Sequence, residues 1–174
     1  YKRRIIQSFG RKKFKRLKKE KIRLSFDFIT KYKQGEIILT VLLDTNIILD
    51  YIAERPFYKS ETKLIFDMIY SHKISGIIAA HSISNLWYLL RKICDDEQRR
   101  KIISSLLNSF EIAQIDKSHI KAAIERKNFK DFEDCLQDEC AYSFNADFII
   151  TRDKNDFLNA KILPLLPTEF LHAV

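Results

Sequence analysis

The sequence predicts an α/β protein in which helices cover both faces of a central parallel sheet. Short runs of β-branched and apolar residues alternate with longer segments whose apolar residues recur at helical spacing, which is typical of parallel sheets. The first run, residues 37–43, is apolar at all but one position, as expected of a strand buried on both faces. Two of the runs lead directly into an aspartate rather than into Gly, Asn or Pro.

The first half of the predicted domain contains two strands and four helices. The first helix ends before the Arg55-Pro56 pair, because a residue that precedes proline disfavours helical dihedral angles. Ser82 is expected to cap the third helix, in which Leu86, Leu90 and Ile93 recur at helical spacing. The strands are predicted at residues 37–43 and 76–80, and the helices at 46–53, 60–71, 83–93 and 95 or 96 to 109.

The second half continues the alternation. Its longest helix, residues 131–144, has an apolar row at every fourth position from Phe132 to Phe144, and this row places Asp134 on the opposite face. The strands are predicted at residues 111–115 and 147–151 with a weak edge strand at 162–164, and the other helical segments at 117–127, 155–159 and from 168 onward.

Composition excludes several classes of protein. An apolar content of 46% is too high for a disordered chain. The three Cys and four His have no spacing typical of a zinc site or a disulfide framework, and free thiols suit a reducing compartment, so we expect a cytoplasmic protein. No apolar run approaches the roughly 20 residues that cross a membrane. Three Gly are too few for a P-loop or a dinucleotide-binding fingerprint.

Residues 1–38 form a basic leader in front of a mildly acidic domain, residues 39–174. Residues 1–40 carry 14 Lys and Arg against three Asp and Glu, whereas residues 41–174 carry 17 against 20. The net charge of +8 therefore comes from the leader. Three interpretations stay open: an arm that binds nucleic acid, an inert tail, or translated sequence upstream of a start codon at Leu39.

Three acidic segments carry the functional prediction. Asp44 follows the first strand and Asp153 the fourth, while Asp131 and Asp134 lie one turn apart at the start of a helix. The carboxyl ends of the strands form the ligand crevice of open parallel sheets. Carboxylates gathered there repel one another, so a divalent cation is their natural partner. The pattern indicates a metal-dependent enzyme that acts on phosphodiesters.

Residues 41–172 resemble the PIN domain, and most closely the bacterial type found in VapC-like toxins of toxin–antitoxin pairs. The three matching motifs are Leu43-Asp-Thr-Asn-Ile47, Asp131-Phe-Glu-Asp134 and Thr151-Arg-Asp153. The resemblance implies a Rossmann-like α/β/α sandwich, Mg²⁺ or Mn²⁺ as cofactor, and cleavage of single-stranded RNA. It further implies a protein antitoxin as partner and a homodimer.

The resemblance also implies roles for the matching residues. Three carboxylates are implied as catalytic residues and metal ligands: Asp44, Asp134 and Asp153. Asp131 is expected to support them from one turn earlier on the helix, Thr151 to donate its hydroxyl to an acidic neighbour or to phosphate, and Asn46 to orient Asp44. A metal held in this way lowers the pKa of a bound water, directs it at phosphorus and stabilises the leaving oxygen.

One position departs from the family's usual pattern. The helix after the second strand usually carries a glutamate, whereas this sequence has Asn85. An amide oxygen can still ligate a hard cation, but it brings no charge. A branch of the family resembles this sequence in having Asn there. Asn85 therefore bears on metal affinity and on the catalytic rate rather than on the fold.

Structural roles remain open for the same acidic residues. Asp44, Asp131 and Asp153 also suit helix N-caps, and Asp134 suits a solvent-facing carboxylate. Four further charged residues are interpreted as surface charges: Asp138, Glu139, Arg152 and Lys154. At the level of function, two alternatives to a toxin nuclease stay open. One is a catalytically weak PIN domain that binds RNA, and the other is a housekeeping RNA-processing nuclease.

Overall fold

The computed structural model describes residues 27–174, so most of the predicted leader, residues 1–26, lies outside the described part of the chain. A helix at residues 27–33 (α1) precedes a five-stranded parallel sheet with the strand order β3-β2-β1-β4-β5. The strands are Leu39–Leu43 (β1), Ile74–Ala79 (β2), Glu111–Ala113 (β3), Phe148–Ile150 (β4) and Leu163–Leu165 (β5). The other helices are Thr45–Ile52 (α2), Lys59–Tyr70 (α3), Ala80–Leu90 (α4), Asp96–Ser109 (α5), Lys117–Glu125 (α6), Phe132–Ser143 (α7) and Pro167–Ala173 (α8).

Each face of the sheet has its own hydrophobic core. Successive strand residues point to opposite faces, so Leu39, Val41 and Leu43 pack on one side of β1 while Leu42 packs on the other. Helices α2, α3, α4, α5 and α8 contribute to the first core, and α7 contributes to the second. The predicted α/β/α sandwich with a central parallel sheet is therefore confirmed.

Successive strands are added first on one side of β1 and then on the other, and this change of side positions the crevice. From β1 the chain passes to β2 and β3 on one side of the sheet, and then crosses to β4 and β5 on the other. Such a switch point opens a crevice outside the carboxyl ends of the strands. Here the backbone N–H of Asp44 donates to the carbonyl oxygen of Ile150 at 3.0 Å, so the ends of β1 and β4 meet at this point.

Helix α4 begins earlier than the sequence predicts. Strand β2 leads into it without a loop, and its N-cap, Ala79, makes no side-chain cap hydrogen bond. The prediction that Ser82 caps a helix over residues 83–93 is therefore wrong. Ser82 lies within the helix, is fully buried, and its Oγ accepts a hydrogen bond from the Thr45 hydroxyl at 2.8 Å. A serine that pairs with a distant side chain gives the same local pattern as a capping serine.

Two residues interpreted as surface charges are buried on α7. Asp138 and Glu139 are 0% and 4% exposed. The Arg126 guanidinium donates to both carboxylates at 2.6 and 2.7 Å, and the Lys161 ammonium pairs with Glu139. The interpretation was wrong because the compensating cations come from distant parts of the chain. At the start of the same helix, Phe132 is 50% exposed, so the predicted apolar row begins only at Leu136.

The segment that precedes β1 contacts the domain. Ile29 and Tyr32 of α1, together with Ile37, are partly buried and pack against the first core. These residues belong to the predicted leader, and their contacts bear on where the domain boundary is drawn. Within residues 27–174, no helix has both the length and the apolar character needed to span a membrane.

Candidate active site

Asp44 lies at the centre of the candidate site, where β1 passes into α2. It is the N-cap of α2 and is 2% exposed. Its Oδ2 accepts a hydrogen bond from the Thr151 hydroxyl at 2.8 Å, and its Oδ1 accepts one from Gln137 Nε2 at 3.2 Å. Burial raises the pKa of Asp44, although the bonds from Thr151 and Gln137 act in the opposite direction. Capping alone does not account for a carboxylate held in this way from two other elements.

The third motif, Thr151-Arg-Asp153, follows β4 and is called the closing motif below. Its first and last residues are joined by a hydrogen bond. The Thr151 hydroxyl, which donates to Asp44, also accepts a hydrogen bond from the backbone N–H of Asp153 at 3.0 Å. The Asp153 side chain is exposed, and its Oδ1 accepts a hydrogen bond from the backbone N–H of Asn155 at 3.1 Å. Thr151 therefore lies in contact with Asp44, whereas Asp153 lies at the rim and caps the next turn.

The first turn of α7 brings further carboxylates to the crevice. Asp131 is the exposed N-cap, and its Oδ1 accepts a hydrogen bond from the Glu133 backbone N–H at 2.7 Å. Asp134 is half-buried. Burial raises the pKa of Asp134 to about 7, and four neighbouring carboxylates act in the same direction: Asp44, Asp131, Asp156 and Glu133. These residues therefore form one acidic group, to which Asp134 is central.

Two further residues of the site were not selected from the sequence: Asp156, which belongs to the acidic group, and Gln137, which contacts Asp44. Burial and the negative charges of Asp153 and Asp131 raise the pKa of Asp156. Asp156 follows Asp153 by three residues, and Gln137 follows Asp134 by three, so helical spacing alone would have placed each beside a selected residue. The position of Gln137 against Asp44 depends on how α7 packs on β1, which the sequence does not show.

The first turn of α4 forms the wall opposite α7. The Thr45 hydroxyl lies 2.8 Å from Ser82 Oγ and 3.3 Å from Glu133 Oε1, and so connects the two helices. Both ring nitrogens of His81 are buried, next to Glu133 in the first turn of α7. Burial lowers the pKa of His81, while the nearby Glu133 charge opposes the shift. Asn85, one turn further along, is half-buried and makes no side-chain hydrogen bond to a described residue.

Asn46 and Arg152 form a polar connection beside the acidic group. The Asn46 backbone N–H donates to Asp44 Oδ1 at 3.4 Å, and its side-chain oxygen accepts a hydrogen bond from Arg152 at 3.3 Å. Arg152 also donates to both oxygens of Asp50, which is completely buried, and Arg55 pairs with Asp50 as well. The interpretation of Arg152 as a surface charge was therefore wrong, because Arg152 compensates a buried carboxylate.

The donors of the acidic group fit a hard divalent cation by their chemistry. They are oxygen ligands that carry several negative charges, and Mg²⁺ and Mn²⁺ bind such ligands. Asp134 is half-buried among these charges, so a bound cation would offset both its burial and the repulsion from its neighbours. Within residues 27–174, however, no three Asp, Glu, His or Cys side chains converge as a formed metal site would require.

Comparison with known proteins places the chain in a family. Residues 40–155 match the family model of the PIN domain. The chain is 30% identical over 134 residues to "Ribonuclease VapC1" of Aquifex aeolicus (strain VF5), an alignment that covers 75% of this chain and 92% of that protein.

Two solved structures share the fold. The complex of VapBC2 from Rickettsia felis, bound to a DNA fragment from its promoter, has a TM-score of 0.58 at 18% identity and covers 74% of this chain and 98% of that chain. VapC20 of Mycobacterium tuberculosis, a Sarcin–Ricin loop cleaving toxin, has a TM-score of 0.56 at 12% identity. The match covers 68% of this chain and 94% of that chain. The family match and the 30% identical Aquifex aeolicus relative show that the chain belongs to the PIN domain family, in its VapC-like branch.

Proposed function

We propose that this protein is a divalent-metal-dependent endoribonuclease that hydrolyses RNA phosphodiesters, with Mg²⁺ or Mn²⁺ as its cofactor. The observation that carries the proposal is the half-buried Asp134 with the carboxylates around it, at the carboxyl edge of the sheet. The name of the Aquifex aeolicus relative, a ribonuclease, and the cleavage of the Sarcin–Ricin loop named for the Mycobacterium tuberculosis toxin support it.

Each residue of the site has a distinct part in this proposal. Asp44, Asp134 and Asp153 would hold the metal, with Asp131 adding negative charge. The metal, when bound, supplies a water of lowered pKa and stabilises the leaving oxygen. Thr151 fixes one oxygen of Asp44. Asn46 supports Asp44 from the first turn of α2 and is itself held by Arg152. Because Arg152 is bound to Asp50, it is not assigned to the RNA phosphate.

We further propose that the protein is the toxin of a toxin–antitoxin pair. The similar solved structures include VapBC2 of Rickettsia felis, VapBC-1 of nontypeable Haemophilus influenzae and a toxin–antitoxin complex from Klebsiella pneumoniae. A small antitoxin that covers or enters the acidic crevice would complement its charge with Lys or Arg. Co-purification with the product of a neighbouring short gene tests the partner, and light scattering tests whether the chain forms a homodimer.

A second candidate function is an RNA-binding module with little catalytic activity. Asn85 favours it, because the site has an amide where the family usually has a charged ligand. RNA binding without cleavage in Mg²⁺ or Mn²⁺ would support this candidate. A housekeeping RNA-processing nuclease would instead cut RNA and have no antitoxin partner.

The experiment is cleavage of RNA by wild type and by Asp44→Asn in Mg²⁺ and in Mn²⁺. We expect the variant to fold and to lose cleavage, because it keeps the shape of the side chain and removes a charged ligand. Asp67→Asn, on the exposed side of α3, is the matched control and should cut RNA at the wild-type rate. Near wild-type cleavage by Asp44→Asn would overturn the assignment of the active site.

A further inference from the structure

Gln137 donates a hydrogen bond from its side-chain amide to Asp44. We propose that it is a positioning residue that leaves Asp44 with a single free lone pair, so that the site selects Mg²⁺ or Mn²⁺ over Ca²⁺. The inference rests on the proposed function, because it assumes that Asp44 is a metal ligand. Gln137 lies on α7, one turn after Asp134 and one residue before the buried Asp138.

The hydrogen bonds to Asp44 leave one position free. A carboxylate has two oxygens with about four lone-pair positions in all. Oδ1 accepts from Gln137 Nε2 at 3.2 Å and from the Asn46 backbone N–H at 3.4 Å. Oδ2 accepts from the Thr151 hydroxyl at 2.8 Å and from no other donor within residues 27–174. The free lone pair therefore belongs to Oδ2, and Asp44 can bind a cation through that one oxygen.

The orientation of the Gln137 amide follows from its surroundings. The side chain is 1% exposed, and its Oε1 has no hydrogen-bond partner among the described residues. Rotating the amide by half a turn would place Oε1 against the carboxylate oxygen of Asp44, which is repulsive. A buried acceptor without a partner costs about 1–3 kcal/mol. The orientation in which Nε2 donates to Asp44 is therefore the one that the surroundings of the amide favour.

A carboxylate restricted to one oxygen favours a small cation. Mg²⁺ requires near-octahedral coordination at short distances, whereas Ca²⁺ takes six to eight oxygens and readily accepts both oxygens of one carboxylate. If Oδ1 were free, Asp44 could offer both oxygens and meet the larger coordination number of Ca²⁺. The Gln137 contact therefore changes the ratio of the affinities for Mg²⁺ and Ca²⁺, as well as each affinity by itself.

The test measures Mn²⁺ binding by electron paramagnetic resonance, with Ca²⁺ as competitor, on the full chain without RNA. Gln137→Met keeps the volume of the side chain and removes the donor to Oδ1. Thr151→Val is the matched control, since it removes the donor to Oδ2 and leaves Oδ1 occupied. Gln137→Asn, which is too short to reach Asp44, serves as a second variant. Thermal unfolding of each protein shows whether it is folded.

We expect Gln137→Met to reduce the preference for Mn²⁺ over Ca²⁺ about tenfold, the scale of losses on removing a residue that orients a ligand. Thr151→Val should lower both affinities and leave their ratio roughly unchanged. An unchanged ratio in the folded Gln137 variants, or an equal loss of preference in Thr151→Val, overturns the inference.

The outcome is separable from that of the proposed function. If wild type prefers Mn²⁺ and Gln137→Met loses the preference, the inference holds even if no RNA is cut, and only the nuclease proposal fails. If wild type cuts RNA and the ratio is unchanged in the folded variants, only the inference fails. A wild-type protein that binds neither cation overturns both.

Discussion

At the scale of single residues, the charge state of Asp134 makes a prediction about pH. Its pKa is raised to about 7 from an ordinary value of 3.8, so between these values the folded protein holds a proton that the unfolded chain has released. Stability falls with rising pH wherever the folded state binds more protons. The contribution of Asp134 to the free energy of unfolding should therefore fall as pH rises from about 4 to 7, and stay constant above pH 7.

The measurement is denaturant unfolding of wild type and Asp134→Asn in a chelator at several pH values. We expect the free energy of unfolding of wild type, relative to the variant, to decrease as pH rises to about 7. The amide is neutral throughout, so it supplies the reference. A difference between the two proteins that does not vary with pH would show that Asp134 titrates normally.

Asn85 makes a second prediction at this scale. We expect Asn85→Glu to tighten Mn²⁺ and Mg²⁺ binding, because it adds a charged oxygen ligand to the proposed metal site. The side chain is half-buried and makes no hydrogen bond within residues 27–174, so the substitution breaks none. Calorimetric titration of both proteins is the measurement, with Ser84→Glu on the exposed side of α4 as the control. Unchanged or weaker affinity would place Asn85 away from the metal.

The site residues divide into those that a local pattern predicts and those that only packing shows. Asp44 and Asp134 were predictable, because each occupies a motif at the end of a strand or the start of a helix. His81 was missed because a lone His in a helix carries no local signal. Spacing places Gln137 beside Asp134, but its contact with Asp44 depends on how α7 packs on β1. The metal roles of Asp44, Asp134 and Asp153 remain predictions.

At the scale of elements, α7 serves two different purposes along its length. Its first turn presents carboxylates to the crevice, and its second half fixes the helix through Asp138 and Glu139. Asp138 Oδ1 and Oδ2 also accept the backbone N–H groups of Ile162 and Lys161, so the segment leading into β5 is tied to α7. The sequence predicted the helix, but not this anchoring, because the partners lie outside the helix, 12 to 24 residues away.

We predict that Arg126→Met destabilises the protein strongly without changing the chemistry of the site. Removing the guanidinium leaves Asp138 and Glu139 buried without their main cation, and breaking a buried ion pair costs about 3–5 kcal/mol. Urea unfolding at neutral pH measures the loss. The matched control is Arg100→Met, whose pair with Asp96 is exposed and should contribute less than about 1 kcal/mol. Equal losses in the two variants would contradict a structural role for the buried pairs.

At the scale of the whole molecule, the strand order explains why distant motifs meet. With β1 between β2 and β4, three elements reach one crevice: α2 from the end of β1, α4 from the end of β2, and the closing motif from the end of β4. Alternation of strands and helices predicts a parallel sheet, and handedness restricts its connections. The pattern does not fix the strand order. The prediction that the motifs meet rested on their placement at the carboxyl ends of parallel strands, and the family resemblance supported it.

The last prediction concerns the leader and compares two truncations with the full chain. Removing residues 1–26 takes away none of the described contacts, so we expect the midpoint of thermal unfolding to stay unchanged. Removing residues 1–38 also deletes the contacts of Ile29, Tyr32 and Ile37 with the first core. Burial of an apolar side chain contributes about 1.5–3 kcal/mol when complete, and these three are only partly buried. We therefore expect a lower midpoint but a folded domain that still cuts RNA.

RNA affinity across a salt series then separates the interpretations of the leader. Each Lys or Arg that contacts a phosphate releases counterions, so a basic arm makes affinity fall steeply with salt. Most of the leader's cations precede residue 27, so the shorter truncation already removes them. If that truncation binds RNA more weakly and with a shallower salt slope, the leader is an RNA-binding arm. An unchanged slope favours an inert tail or upstream sequence, and a truncation at residue 38 that fails to fold would refute the predicted domain boundary.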